Sequence, residues 1–260
     1  MSEPMGLGRV YDQVQLAEDF RRLGIHPGSE VLLHSSLSSI GHVEGGADVL
    51  IDALLAVVDS TQGTVLVPTL TGSAQDSPEN PPLFDVTRTP CWTGRIAETL
   101  RLRPEADRSL NPTHSVAAIG ANAVSLTTGH EDCWTTCGYG SPYYRLARRG
   151  GKILLLGVTL DSNTTFHTAE EIAGVSYHLQ AKPVECKMID YKGRTLFRKT
   201  MLHDWGTPRR FMAAADIFLE QGIMKKGSVG EAECFLIDSG AMLDYTVERL
   251  RKEPNWLVKR

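Results

Sequence analysis

Apolar side chains at Val14, Leu16, Phe20 and Leu23 recur at roughly helical spacing through residues 11–24 and stop at Gly24. That predicts a helix with one buried stripe. After the turn HPGSE comes a short apolar strand at 31–34. GGADVLIDALLAVV (45–58) then reads as a helix entered through glycines, and GTVLVPTL (63–70) as a second strand. From 71 to 90 the periodicity lapses in a proline-rich stretch, TGSAQDSPENPPLFDVTRTP, which predicts a long loop of the kind that is usually functional or disordered.

The alternation resumes with a helix near 94–102, a strand at 115–119 and a helix from 121. A helix at 142–148 leads through RRGGK to a strand at 153–156. Strands alternating with helices predict a layered α/β fold with much of its sheet parallel. Beyond 183 the pattern changes. PVECKMIDYKGRTLFRKTML reads as two strands joined at Lys192–Gly193, followed by a helix at 208–221 and a final strand and helix. The sheet is therefore expected to be mixed. No repeat, low-complexity tract or linker divides the chain, so a single domain over 1–260 is expected.

With 260 residues, 42% of them hydrophobic, the chain is long enough for a sizeable core. A net charge of −4 argues against nucleic acid as the main partner. No apolar run approaches the roughly 20 residues that span a membrane, and MSEPMGLGRVYDQVQ has no export-signal core. Five cysteines without a disulfide-like framework fit a reducing compartment. Cys133 and Cys137 are the one close pair, with no second pair to complete a zinc site. A cytoplasmic protein is expected.

Four stretches carry candidate chemistry. In LLHSSLSSIGHVEGG (32–46) a strand runs into four serines and a Gly-Gly helix entrance. Such a loop offers N–H and hydroxyl donors plus a helix dipole to an anionic group, or it is simply a polar connection whose serines cap the helix. In RSLNPTHSVAAIG (108–120) His114 and Ser115 stand where a polar turn made by Asn111 and Pro112 meets a strand. In LLLGVTLDSNTTFHTAEE (154–171) a helix beginning near Thr164 or Thr165 puts His167 and Glu170 on one face. A carboxylate there would fix the imidazole tautomer and raise its basicity, as general-base catalysis wants. Capping by Thr164 or Thr168 is the plain alternative. A metal site fits less well, since HxxE lacks the second histidine of the usual helical spacings. In LHDWGTPRRF (202–211) Asp204 lies in a turn before a helix that Thr207 would cap. GxSxG and catalytic cysteine signatures are missing.

Together HSSLSSIGHVEGGADVLIDALL, GTVLVPT, the RSxxPTHSVAAIG block and KILLLGVTLDSNTTFHTAEE resemble, in order and spacing, the aminoglycoside 3-N-acetyltransferase family. The likeness covers roughly residues 28–178, with a looser match beyond 180. It implies a three-layer α/β/α sandwich around a mixed, partly parallel sheet, with a C-terminal hairpin and helices. It also implies acetyl transfer from acetyl-coenzyme A to the 3-amino group of a 2-deoxystreptamine ring. By the same resemblance His167 is the general base and Glu170 orients and polarises it. Ser35, Ser36, Leu37 and Ser38 hold the coenzyme A pyrophosphate, and Thr69 lies near the thioester carbonyl. His114 and Ser115 line the pantetheine channel, and His34 and Thr165 complete the cofactor set. Asp204 matches an acidic position near the antibiotic. Asn111-Pro112 departs from the His-Pro that the family often has.

The chemistry is coherent from below. An amine must be neutral to attack a thioester, and a histidine of ordinary pKa about 6.5 beside a carboxylate can take its proton. An oxyanion then needs donors, expected from a backbone N–H or the Thr69 hydroxyl. No acyl-enzyme and no metal are required. A polycationic sugar wants carboxylates around it, for which Asp76, Glu79, Asp85, Glu171 and Asp204 are candidates. Three other readings stay open: a same-family acetyltransferase acting on another small amine, a hydrolase in which His167 activates water, and a non-catalytic coenzyme A-binding protein. The oligomeric state is left at monomer or homodimer.

Overall fold

The structure, a computed structural model, describes residues 9–259. The N-terminal stretch read above for an export signal lies partly outside them. The chain opens with β1 (Val10–Tyr11), α1 (Gln13–Arg22), β2 (Glu30–Ser35), β3 (His42–Val43), α2 (Gly46–Val58) and β4 (Thr64–Pro68). β5 (Leu83–Asp85), α3 (Arg95–Arg101), β6 (Asp107–Arg108), β7 (Val116–Gly120), α4 (Ala123–Thr127) and α5 (Pro142–Arg148) follow. Then come β8 (Lys152–Leu156), α6 (Thr165–Ala173), β9 (Val184–Ile189) and β10 (Thr195–Thr200). The chain closes with α7 (Ala215–Glu220), β11 (Met224–Val229), β12 (Ala232–Asp238) and α8 (Ser239–Lys252).

Seven strands form the main sheet in the order β11-β12-β8-β2-β4-β7-β6. In it only the β8-β2 and β2-β4 pairings are parallel; β12 with β8, β11 with β12, β7 with β4 and β6 with β7 pair antiparallel. The sheet is mixed as expected, with less parallel pairing than the strand–helix alternation suggested. Side chains alternate across the sheet, and the alternation builds two cores. Val31, Leu33, Val65, Val67, Leu154 and Leu156 pack under α1, α2 and α3. Leu32, Leu66, Ile153 and Leu155 pack on the other face against α4 to α8. Helices on both faces of one sheet make the three layers.

Local chemistry explains the elements. Asp12 and Gln15 form a capping box on α1: the Gln15 N–H donates to Asp12 Oδ1 at 2.9 Å, and the Asp12 N–H to Gln15 Oε1 at 3.2 Å. The buried stripe of α1 is Leu16, Ala17 and Phe20, while Val14 is exposed and lies off it. Gly45 and Gly46 enter α2 at φ of 81° and 64°, a left-handed pair that a side chain would strain.

Three expectations are corrected. The hairpin at 183–202 does form, as β9 and β10, but it stands apart from the main sheet. Its partner is β5, a strand inside the stretch read as a long loop, which pairs parallel with β9. The helix expected at 208–221 shortens to a 3-10 turn at Phe211–Ala214 and the six-residue α7, and the cap expected of Thr207 does not form because no helix starts there. The single final strand is a hairpin, β11 and β12, that extends the main sheet.

Candidate active site

Because β8, β2 and β4 are parallel, their carboxyl ends open on one side of the sheet, where ligands of α/β proteins usually bind. A cleft of about 390 Å³ lies there. Its walls include Leu33, His34 and Ser35 from β2, Pro68 and Leu70 around the end of β4, and Val158, Asp161, Asn163 and Thr164 after β8. Trp92, His114, His167 and Trp205 also line it. Beside it is a second hollow of about 460 Å³, lined by Leu37, Ser38, Gly41, His42, Val43, Gly46 and Arg95. There the first turn of α2 and a guanidinium share one space, a combination suited to phosphate.

α6 aims the catalytic candidates. Asn163 accepts the Thr165 N–H at 3.1 Å, and Gly174 closes the helix at φ 71°. Thr164 makes no side-chain cap, so Asn163 takes the part expected of that threonine. His167 and Glu170, one turn apart, meet: His167 Nδ1 lies 2.7 Å from Glu170 Oε2. A carboxylate there makes Nδ1 the protonated nitrogen and leaves the Nε2 lone pair free. Glu170 is fully buried and is held again by Arg209, whose Nε donates to Oε1 at 2.8 Å. His178 Nδ1 stands 3.0 Å from the same Oε2. Glu171, next in the chain, accepts the Cys137 N–H on both oxygens at 3.1 Å and lies 2.8 Å from His203 Nε2. His203 Nε2 also lies 2.9 Å from Thr136 Oγ1, and Gly138 lets this backbone approach Glu171, since a Cβ there would meet Glu171 Oε2 at 2.8 Å.

Burial lowers the pKa of His167, and the hydrogen bond and charge of Glu170 offset only part of that. Glu170 thus raises the basicity of the imidazole as expected, but burial outweighs it, and the net shift leaves the ring neutral at physiological pH. Burial acts against ionised Glu170, but the hydrogen bonds and charges of His167 and His178 outweigh it and hold its pKa far below the usual carboxylate range. Glu171, likewise buried, is brought down to about 2 by His178 and His203. His34 and His203 are pushed down to about 3, chiefly by burial, and His114 is lowered well below 6.5 for the same reason.

The other expected residues divide. His34, Ser35 and His114 line the cleft, and His34 Nε2 is buried with no partner, a polar atom free for a ligand. Leu37 and Ser38 line the second hollow, while Ser36 Oγ is engaged with Ser38 and Ser39. Thr69 is placed elsewhere than expected. Its hydroxyl lies 2.8 Å from Ser115 Oγ and accepts from Arg108 Nε at 3.1 Å, so both hydroxyls serve a buried guanidinium rather than the cleft. Thr165 is fully buried; Thr164 takes the cleft position. Of the proposed acceptor carboxylates, Glu171 faces inward to Cys137 and His203. Asp76 accepts the Ser73 N–H, Asp85 the Thr87 and Arg88 N–H groups, and Asp204 the Gly206 N–H. Neither these four nor Glu79 lines the cleft, whose one carboxylate among the described residues is Asp161.

Sequence reasoning missed His178, Arg209, Thr136 and Trp92. Trp92 and Trp205 stand with ring centres 6.5 Å apart and are 57% and 42% exposed, an uncommon investment of apolar surface at a cleft mouth. Ring nitrogens of His167, His178 and His203 come within 4.8 Å of one another, close enough to suggest a metal. Glu170 and Glu171 engage one nitrogen of each, which ties the three rings into one hydrogen-bonded network. All five cysteines are free thiols, and no helix among the described residues is long and apolar enough to cross a membrane.

Residues 32–251 match the family model described as aminoglycoside 3-N-acetyltransferase. The chain is 31% identical to aminoglycoside N(3)-acetyltransferase III of Salmonella sp, over 94% of this chain and 92% of that one. Among solved structures it resembles AAC-IIIb in a binary complex with CoASH, with TM-score 0.80 and 30% identity over 94% of this chain and 97% of the other. It is also similar to a mutant of the aminoglycoside acetyltransferase AAC(3)-IVa in complex with a gentamicin, with TM-score 0.83 and 27% identity over 99% and 94%. Fold and site thus define an acyltransferase. The chain belongs to the aminoglycoside 3-N-acetyltransferase family.

Proposed function

We propose that the protein transfers the acetyl group of acetyl-coenzyme A to the 3-amino group of a 2-deoxystreptamine aminoglycoside, acting in the cytoplasm as one functional unit and conferring resistance. The observation that carries this reading is His167 at the cleft wall with Nδ1 bound to buried Glu170. Its Nε2 then removes a proton as the amine attacks the thioester carbon. The tetrahedral intermediate collapses, the C–S bond breaks, and the proton can pass from Nε2 to the departing thiolate. We read the transfer as direct; in support, among the described residues no histidine ring bonds a serine hydroxyl of the cleft, and the hydroxyls paired with imidazoles, Ser109, Thr113 and Thr136, are all buried. The hollow with Ser38, Gly46 and Arg95 suits the coenzyme's phosphates, and the CoASH complex of AAC-IIIb supports coenzyme A as the co-substrate.

One observation favours a second reading. The cleft wall carries two tryptophans and one carboxylate, Asp161, which also suits a small amine of lower charge. Thiol release from acetyl-coenzyme A, measured against a panel of aminoglycosides and simple amines, separates the two. Turnover with aminoglycosides supports the first reading, and turnover confined to simple amines the second. Thiol release at the same rate without any amine would overturn both in favour of a hydrolase.

A further inference from the structure

Behind the cleft, two consecutive carboxylates, Glu170 and Glu171, are both buried, with side-chain exposures of 0% and 1%. Isolated buried charge is costly, so such a pair needs matching cations. The groups around them are few. Arg209, packed over the Tyr177 ring, pairs with Glu170. Cys137 and Tyr177 stay uncharged, because burial raises the pKa of both. His114, His167, His178 and His203 cluster against them, with ring centres 4.0 to 6.3 Å apart where they touch; His130, Cys133 and Tyr143 also feel the charge of Glu171 but are held uncharged, chiefly by burial. Two negative charges face one guanidinium, which leaves one positive charge to be supplied by an imidazole.

Geometry selects which one. His178 is 1% exposed and reaches both carboxylates, with Nδ1 3.0 Å from Glu170 Oε2 and Nε2 3.5 Å from Glu171 Oε1. His167 touches Glu170 and His203 touches Glu171, each through a single nitrogen. His178 Nε2 has no hydrogen-bond partner as placed and points toward the carboxylate it would approach. Arg209 Nη2 lies 3.1 Å from His178 Nδ1, so a neutral ring could accept there from the guanidinium; a proton on Nδ1 goes instead to Glu170 Oε2 at 3.0 Å, and the second buried carboxylate favours that state.

We propose that His178 is a permanent imidazolium shared between Glu170 and Glu171, and that its charge keeps His167 in the neutral, proton-accepting form. Protonating His167 as well would place two cations 4.9 Å apart, centre to centre, in a site whose charges are already balanced. Without His178, the uncompensated carboxylate would draw a proton onto His167 or His203. Titration agrees in direction: burial opposes the charged form of His178, yet the hydrogen bonds and charges of Glu170 and Glu171 outweigh it and raise its pKa. His178 is thus a positioning residue that sets the pH at which the base works. The second half of the proposal rests on the reading of His167 as general base.

Nitrogen NMR of the intact protein with labelled histidines tests the charge directly. One histidine should keep both ring nitrogens protonated at pH 8, and its signal should vanish in His178→Gln. A neutral His178 at pH 8 overturns the proposal, and this readout does not depend on turnover. In His178→Gln the acidic limb of the kcat/KM profile should move up by about one pH unit or more, a tenfold or larger loss on that limb. Activity at high pH should stay within about threefold of wild type, and His178→Lys should restore the profile. An unmoved limb, or an equal loss at every pH, overturns it. Should His178→Gln fail to fold, the wild-type spectrum decides. Full turnover in His167→Ala would sink the general-base reading while leaving the His178 spectrum as it is.

Discussion

His167 Nδ1 and Glu170 Oε2 lie 2.7 Å apart across one turn of α6, with the imidazole edge 23% exposed and the carboxylate wholly buried. The helix spacing brings them together, and Arg209 on the other carboxylate oxygen keeps Glu170 from rotating away. His167→Ala should therefore lower kcat by about 10²- to 10⁴-fold, the usual worth of a general base, while coenzyme A binding persists by calorimetry. Glu170→Gln keeps the shape and loses the charge, so its loss should be smaller and pH-dependent. Near-normal kcat in His167→Ala would remove the base from this site.

Trp205 stacks near His114, with ring centres 6.2 Å apart, and faces the cleft beside Trp92. An ammonium or a sugar face laid on an indole gains about 0.5–2 kcal/mol. Trp205→Ala should therefore raise KM for the acceptor about 2- to 30-fold and leave KM for acetyl-coenzyme A near its starting value. Steady-state kinetics with each substrate varied in turn gives the answer; a rise confined to acetyl-coenzyme A would place the indole on the donor side.

Acid should destabilise the fold early. His34 and His203 stay neutral down to about 3 and His130 to about 4, whereas all three take up protons near 6.5 once unfolded. The unfolded state then binds more protons, and stability falls as pH drops from 6.5 toward 3, by at most about 1.4 kcal/mol per pH unit for each histidine. Glu171, lowered to about 2, adds a further loss between its ordinary 4.5 and 2. His178 acts the other way: its raised pKa gives stability that is full below 6.5 and lost as pH rises through the folded value. Thermal melts should give a lower Tm at pH 5 than at pH 7; an equal or higher Tm at pH 5 would show that these histidines are not buried neutral.

Much of the fold was legible because its signals are local. Short apolar runs placed β2, β4, β7 and β8, and the helix expected at 142–148 matches α5 to the residue. β5 escaped because three residues among prolines carry no period, and they become a strand only by pairing with β9. In the site, the i, i+3 spacing of His167 and Glu170 could be read from the chain. Thr69 could not be placed, because the direction of its hydroxyl depends on Arg108, 39 positions away.

The sequence by itself determined the strand–helix rhythm, the helix that carries His167 and Glu170, and the serine loop before a glycine-opened helix. Each follows from contacts a few residues long. Tertiary structure decided what those pieces face. It set His178, His203 and Arg209 around two buried carboxylates, turned Thr69 and Ser115 toward Arg108, and stood Trp92 beside Trp205. The reason is physical: buried charges must be balanced by whatever the folded chain brings within a few ångströms, and that neighbourhood has no spacing in the sequence.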